Sequence, residues 1–159
     1  MKPFLKTVLT AGLVAGSLDL ALAITYFSVT VHAPFVAVPE AVASGLLGSR
    51  AASFGTPAAL LGIALHYFIA LTVAGIYYAA SRRLRFLNRR PILSGAAYGV
   101  GVFLVMQYIV VPLSASPGPH HFSTGWLIAN IGSHIFFIGI TIALITHHYA
   151  AQTSQPAAL

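Results

Sequence analysis

Asp19 is one of two acidic residues in the chain, and it lies inside the apolar run GLVAGSLDLALAITYF, residues 12–27. A charged side chain near the centre of a bilayer costs a few kcal/mol or more, so an intramembrane carboxylate needs a partner or water. Two histidines occupy comparable settings, His66 in LGIALHYFIAL and His134 in IGSHIFFIGI. An Asp–His pair can pass one proton between states of similar energy, which is what a proton relay requires. The residue types therefore point to an Asp19–His66–His134 layer that handles protons or a small solute.

Other polar residues fall at the same level. Asn130, His134, Thr141 and His148 recur at helical spacing, which suggests one polar stripe. Gly62, His66, Ala70 and Tyr77 make a comparable face, and Tyr26 continues the Asp19 face toward the chain's first loop. Gln107 and Asn130 read as interhelical hydrogen-bond partners, and with Tyr26 and Thr141 they form the supporting polar layer.

The same residues admit other chemistry. As a structural fastener, Asp19 would hydrogen-bond His or Tyr and hold the bundle in register. Two histidines and a carboxylate also suit iron or zinc. No H-x-x-E or H-x-x-x-H pair supports that, so tertiary geometry alone would have to build the site. His66 and His134 as axial haem ligands are a further alternative, without a c-type attachment motif. No cofactor is expected. No nucleophile–base motif, P-loop or nucleotide fingerprint is present, so the chain reads as a non-enzyme.

The elements that must carry these residues are four apolar segments, at about 7–31, 58–81, 92–113 and 124–148. Each meets the roughly 20 residues a spanning helix needs. Of the 159 residues 58% are hydrophobic and 6% charged, against roughly 25% charged in a soluble domain. The expected fold class is all-α, a single polytopic membrane domain over residues 1–150 with a short tail at 151–159. The basic start MKPFLK and the ALA at 21–23 resemble a signal peptide. The apolar run continues through Val31, however, so the segment reads as an uncleaved helix.

Cations give the orientation. Lys2, Lys6, Arg82, Arg83, Arg85, Arg89 and Arg90 fall on one side, and only Arg50 falls on the other. Basic loops stay in the cytoplasm, so both termini are expected inside. The five-arginine loop is also a candidate contact for anionic lipid or a protein partner. The net charge of +6 is thus a topology signal and not a sign of nucleic-acid binding. Pro39 and Glu40 mark the start of a short external helix at about 39–49, with Val42, Leu46 and Leu47 on one side. His120 and His121 fall in the second external loop, an exposed Pro/Gly turn region. No cysteine is present, so no disulfide framework or thiol chemistry is expected.

Gly12 and Gly16, like Gly95 and Gly99, are spaced to share a helix face and admit a neighbouring backbone. Asp19 follows Gly16 by three residues and is expected on the same face, toward another helix and not lipid. The glycine pairs and the matching histidines also suggest two copies of one helical hairpin.

AVASGLLG, LGIALHYFIAL, LRFLNRRPILSGAAYGV and FLVMQYIVVPLS resemble a family of small four-helix bacterial inner-membrane proteins of uncharacterised function. The resemblance covers roughly residues 10–148. It implies a bacterial cytoplasmic membrane and carries no site residues. The leading functional expectation is a small transporter or channel-like protein, acting as a homo-oligomer. A non-transporting structural or accessory subunit is the competing class.

Overall fold

The computed structural model describes residues 3–118 and 123–153. Lys2, His120, His121 and residues 154–159 of the tail lie outside them.

Lipid cannot hydrogen-bond backbone groups, so a segment that crosses it must satisfy its own, and helices do this. The described residues contain helices and no strand. Four helices are long and apolar enough to cross a membrane: Phe4–Val31, Thr56–Arg83, Pro91–Leu113 and Thr124–Ala151. In chain order the elements are α1 (Pro3–Val31), α2 (Ala37–Leu47), a 3₁₀ segment (Gly48–Phe54), α3 (Thr56–Arg83) and α4 (Arg85–Arg89). The third span then joins α5 (Pro91–Val105), a π-helical segment (Met106–Val110) and α6 (Val111–Leu113). The fourth joins α7 (Thr124–Ser133), a second π-helical segment (His134–Ile140) and α8 (Thr141–Thr153).

The spans run a few residues beyond the expected limits. Arg82 and Arg83 complete the last turn of α3, where cations suit the helix dipole. Residues 151–153, expected as tail, continue α8. Pro57 and Pro91 stand in the first turns of α3 and α5, where a missing N–H costs nothing. Ser123 caps α7 by accepting a hydrogen bond from the Trp126 amide at 3.1 Å. His32, in left-handed conformation at φ 53°, ends α1.

α2 corrects one expectation. Its buried residues are Pro39, Ala43 and Ser44, and Leu46 is 64% exposed. The reason is backbone contact: a Cβ at Gly62 would collide with the Pro39 carbonyl, so α2 lies directly on α3. Only small residues allow that approach, and the leucine is turned outward. The loop after the third span joins the same assembly. The Ala115 amide bonds the Gly45 carbonyl at 2.9 Å, and the Ser44 and Ser116 hydroxyls meet at 3.0 Å.

The main core gathers Val8, Ala11, Ala15, Val73, Ala74, Tyr77, Ile138, Ile142 and Ala143. It occupies the half of the bundle nearer Lys6 and the arginine loop, called here the basic end; α2 closes the far end.

The two hairpins pack through matching positions. One shift along the sequence brings Gly12 and Gly16 onto Gly95 and Gly99, and a second, shorter one brings Leu71 and Tyr67 onto Gly139 and Ile135. Gly12 faces Leu71 and Gly16 faces Tyr67, while Gly95 faces Gly139 and Gly99 faces Ile135. All four glycines thus serve close helix packing, as their spacing predicts.

Candidate functional site

The polar layer lies just beyond the main core, toward α2, and α1 is its hub. Three neighbouring positions of α1 reach two different helices. The Gly16 carbonyl accepts a hydrogen bond from His66 Nε2 of α3 at 2.8 Å. A carbonyl only accepts, so that ring nitrogen bears the hydrogen. The Ser17 hydroxyl meets the Tyr67 hydroxyl at 2.8 Å, also on α3. Asp19 turns the other way and accepts a hydrogen bond from the Ser133 hydroxyl of α7.

This geometry divides what the sequence reading joined. Asp19 does look at another helix, but not at the helix its glycines face. Gly16 rests on Ala70 and Tyr67 of α3, and Asp19 bonds to the fourth span. Successive helical residues turn by about 100°, so a three-residue step leaves Asp19 about 60° from Gly16, enough to change neighbour.

The partner is also different. The expected Asp–His pair is replaced by Asp19–Ser133, with His66 bonded one turn away at Gly16. His134 donates through Nδ1 to the Asn130 carbonyl of its own helix at 2.9 Å, and its ring stands edge-on to Phe103. Among the described residues no three His, Asp or Glu side chains gather as a metal site. Asp19, His66 and His134 therefore do not make the three-ligand set considered above.

The stripe Asn130–His134–Thr141–His148 does not form one face. Thr141 bonds the Phe136 carbonyl at 3.1 Å, and His148 is exposed. The residues buried along the fourth span are Ser133, Ile138, Gly139, Ile142, Ala143 and Thr146. Ser133 and Ile138 are five residues apart, whereas Ile138, Ile142 and Thr146 follow at steps of four. The wide turn of the π-helical segment supplies the extra residue, so a uniform helical count aligns the wrong residues.

The supporting residues behave separately. Tyr26 does continue toward the fourth span: its hydroxyl lies 3.4 Å from Ser123, and its ring packs on Trp126 with centroids 5.2 Å apart. Gln107 falls in the π-helical segment of the third span, and among the described residues nothing hydrogen-bonds its amide. Gly62, Ala70 and Tyr77 are buried on α3, with His66 partly so.

Ser133, Ser17 and Tyr67 escaped the sequence reading. Serine in an apolar helix is common packing material, so it carries little signal alone. Ser133 is legible only once the π-helical segment sets the register of the fourth span. Tyr98 was missed as well: its hydroxyl donates to the Val73 carbonyl at 2.8 Å and ties the third span to α3.

Asp19 is half-buried, and its hydrogen-bond partner among the described residues is a neutral hydroxyl. A carboxyl so placed can hold or release a proton without breaking a salt bridge. Its uncovered part meets whatever adjoins the bundle at that depth.

Compared with known protein families, curated proteins and solved structures, the chain matches none of them.

Proposed function

We propose that this membrane protein handles protons, or a small solute exchanged with them, at Asp19. The supporting observation is that the carboxylate within the spans pairs with the Ser133 hydroxyl and, among the described residues, with no cation. Ser133 can donate to the charged form and accept from the neutral form, so either state keeps a partner. His66 stands one turn away as the second titratable group of the layer.

Asp19 also favours assembly of several copies. Lipid tails offer nothing to the uncovered part of a carboxyl, so water or a second chain must meet it. A homo-oligomer with the Asp19 side of the bundle inward supplies both. The setting implied by the resemblance and by the cation count is a bacterial cytoplasmic membrane with both termini inside.

A second reading is a non-transporting structural subunit, in which Asp19–Ser133 is only a tie between α1 and α7. Proton flux into liposomes carrying the purified chain separates the two. Flux that vanishes in folded Asp19→Asn supports proton handling. Absence of flux in the wild type, with Asp19→Asn less stable to heat, makes Asp19 a fastener and ends the first reading.

A further inference from the structure

A cleft opens at the basic end between α1, α3 and α8. Its volume is about 20 Å³, and Thr7, Tyr78, Ser81, Arg82, Thr146 and Tyr149 line it. That is room for a single oxygen-sized group, since a water needs about 10–15 Å³ by the same measure. Thr146 is 2% exposed, and among the described residues its hydroxyl has no hydrogen-bond partner. A buried hydroxyl without a partner is unfavourable, so a polar atom that reaches it from the cleft is stabilised there.

Charge selects which atom. Arg82 lines the cleft, and the Lys6 ammonium lies 5.0 Å from the ring centroid of Tyr149, another lining residue. Neither side-chain carboxylate of the chain is at this end. Asp19 bonds Ser133, and Glu40 stands in the first turn of α2. A water would satisfy Thr146 but leave both cations without a carboxylate among the described residues. An anionic oxygen satisfies all three. Beside the mouth, Phe4 packs edge-on against Tyr78 with centroids 5.2 Å apart, and Phe4 is largely uncovered. The surroundings thus pair an anion site with an apolar wall, at the level where helix ends meet headgroups.

We propose that this cleft binds the phosphate of an anionic phospholipid. One phosphate oxygen enters to meet the Thr146 hydroxyl, the remaining charge faces Arg82 and Lys6, and an acyl chain follows Phe4 and Tyr78. Of the five loop arginines only Arg82 belongs to the site, so the interaction is local and not a general attraction to the basic loop.

Native mass spectrometry of the purified full chain, titrated with phosphatidylglycerol or phosphatidylcholine, tests this. Phosphatidylglycerol binds in preference. Arg82→Gln and Thr146→Val each weaken it about fivefold, the effect expected of one interfacial contact worth about 1 kcal/mol. Thr146→Ser, which keeps the hydroxyl, and Arg89→Gln, outside the cleft, bind as the wild type does. Millimolar inorganic phosphate leaves the lipid in place. Equal binding of the two lipids overturns the proposal, as does full binding by Thr146→Val, which would leave the cleft to water. Equal losses in Arg89→Gln and Arg82→Gln would show diffuse charge instead, and displacement by inorganic phosphate would show a free-anion site.

Discussion

His66 Nε2 stands 2.8 Å from the Gly16 carbonyl oxygen, one helical turn before α1 sends Asp19 toward Ser133. The contact joins a side chain of α3 to the backbone of α1. It holds the two helices together without using the carboxylate. Asp19 is thereby left to the fourth span, and the two polar groups of the layer serve different interfaces.

Replacing Asp19 should separate chemistry from packing. Asparagine keeps an oxygen that accepts from Ser133, so Asp19→Asn should fold and lose only proton-dependent behaviour. Leucine removes the acceptor and should cost about 1 kcal/mol, the usual size of an interhelical hydrogen bond in a membrane. Thermal or denaturant unfolding in detergent, run beside the flux assay, checks both.

Two glycines of the same helix should respond oppositely. A methyl group at Gly62 collides with the Pro39 carbonyl, whereas one at Gly75 meets nothing within 4 Å. Gly62→Ala should therefore cost about 1–3 kcal/mol, as overpacking does, and lift α2 from α3. Gly75→Ala should stay within about 0.5 kcal/mol of the wild type. Protease cleavage in the 48–54 segment should quicken in the first variant only; equal rates in both would refute the backbone contact.

Tyr98→Phe removes one hydroxyl and its bond to Val73, while leaving the ring beside Tyr77, 5.0 Å between centroids. The expected loss is about 0.6 kcal/mol, an average value for such bonds between membrane helices. Tyr98→Ala removes the ring as well and should cost clearly more. Unfolding measurements on the pair decide whether ring or hydroxyl holds the third span to α3.

Orientation can be tested cleanly because the chain has no cysteine. Ser53→Cys and Arg85→Cys place single thiols in exposed positions at opposite ends of the bundle. In intact cells an impermeant thiol reagent should label the first and not the second. The reverse result would invert the topology read from the cations.

Much of the architecture was legible in the sequence because hydropathy and helix length leave few alternatives. Four long apolar runs separated by basic or Pro/Gly loops specify four spans, and Gly12, Gly16, Gly95 and Gly99 specify close packing. The site was less legible because it depends on angles. Asp19 was read as sharing the Gly16 face, and a turn of about 60° sends it to another helix. The fourth span was read at uniform spacing, and its π-helical segment moves Ser133 and Thr146 inward while His148 stays out. At α2, leucines drew attention from Pro39, Ala43 and Ser44, although backbone proximity favours small residues over large ones.

The matching hairpins have one consequence for how many times this chain can act. The shift that carries Gly16 onto Gly99 carries Asp19 onto Val102, and the one that carries His66 onto His134 carries Leu65 onto Ser133. The arrangement is twofold in its packing and single in its carboxyl group. Each copy of the chain thus contributes one carboxyl group to the spans, with the His66 imidazole one turn away. A step that needs two such carboxyls would have to draw the second from another chain.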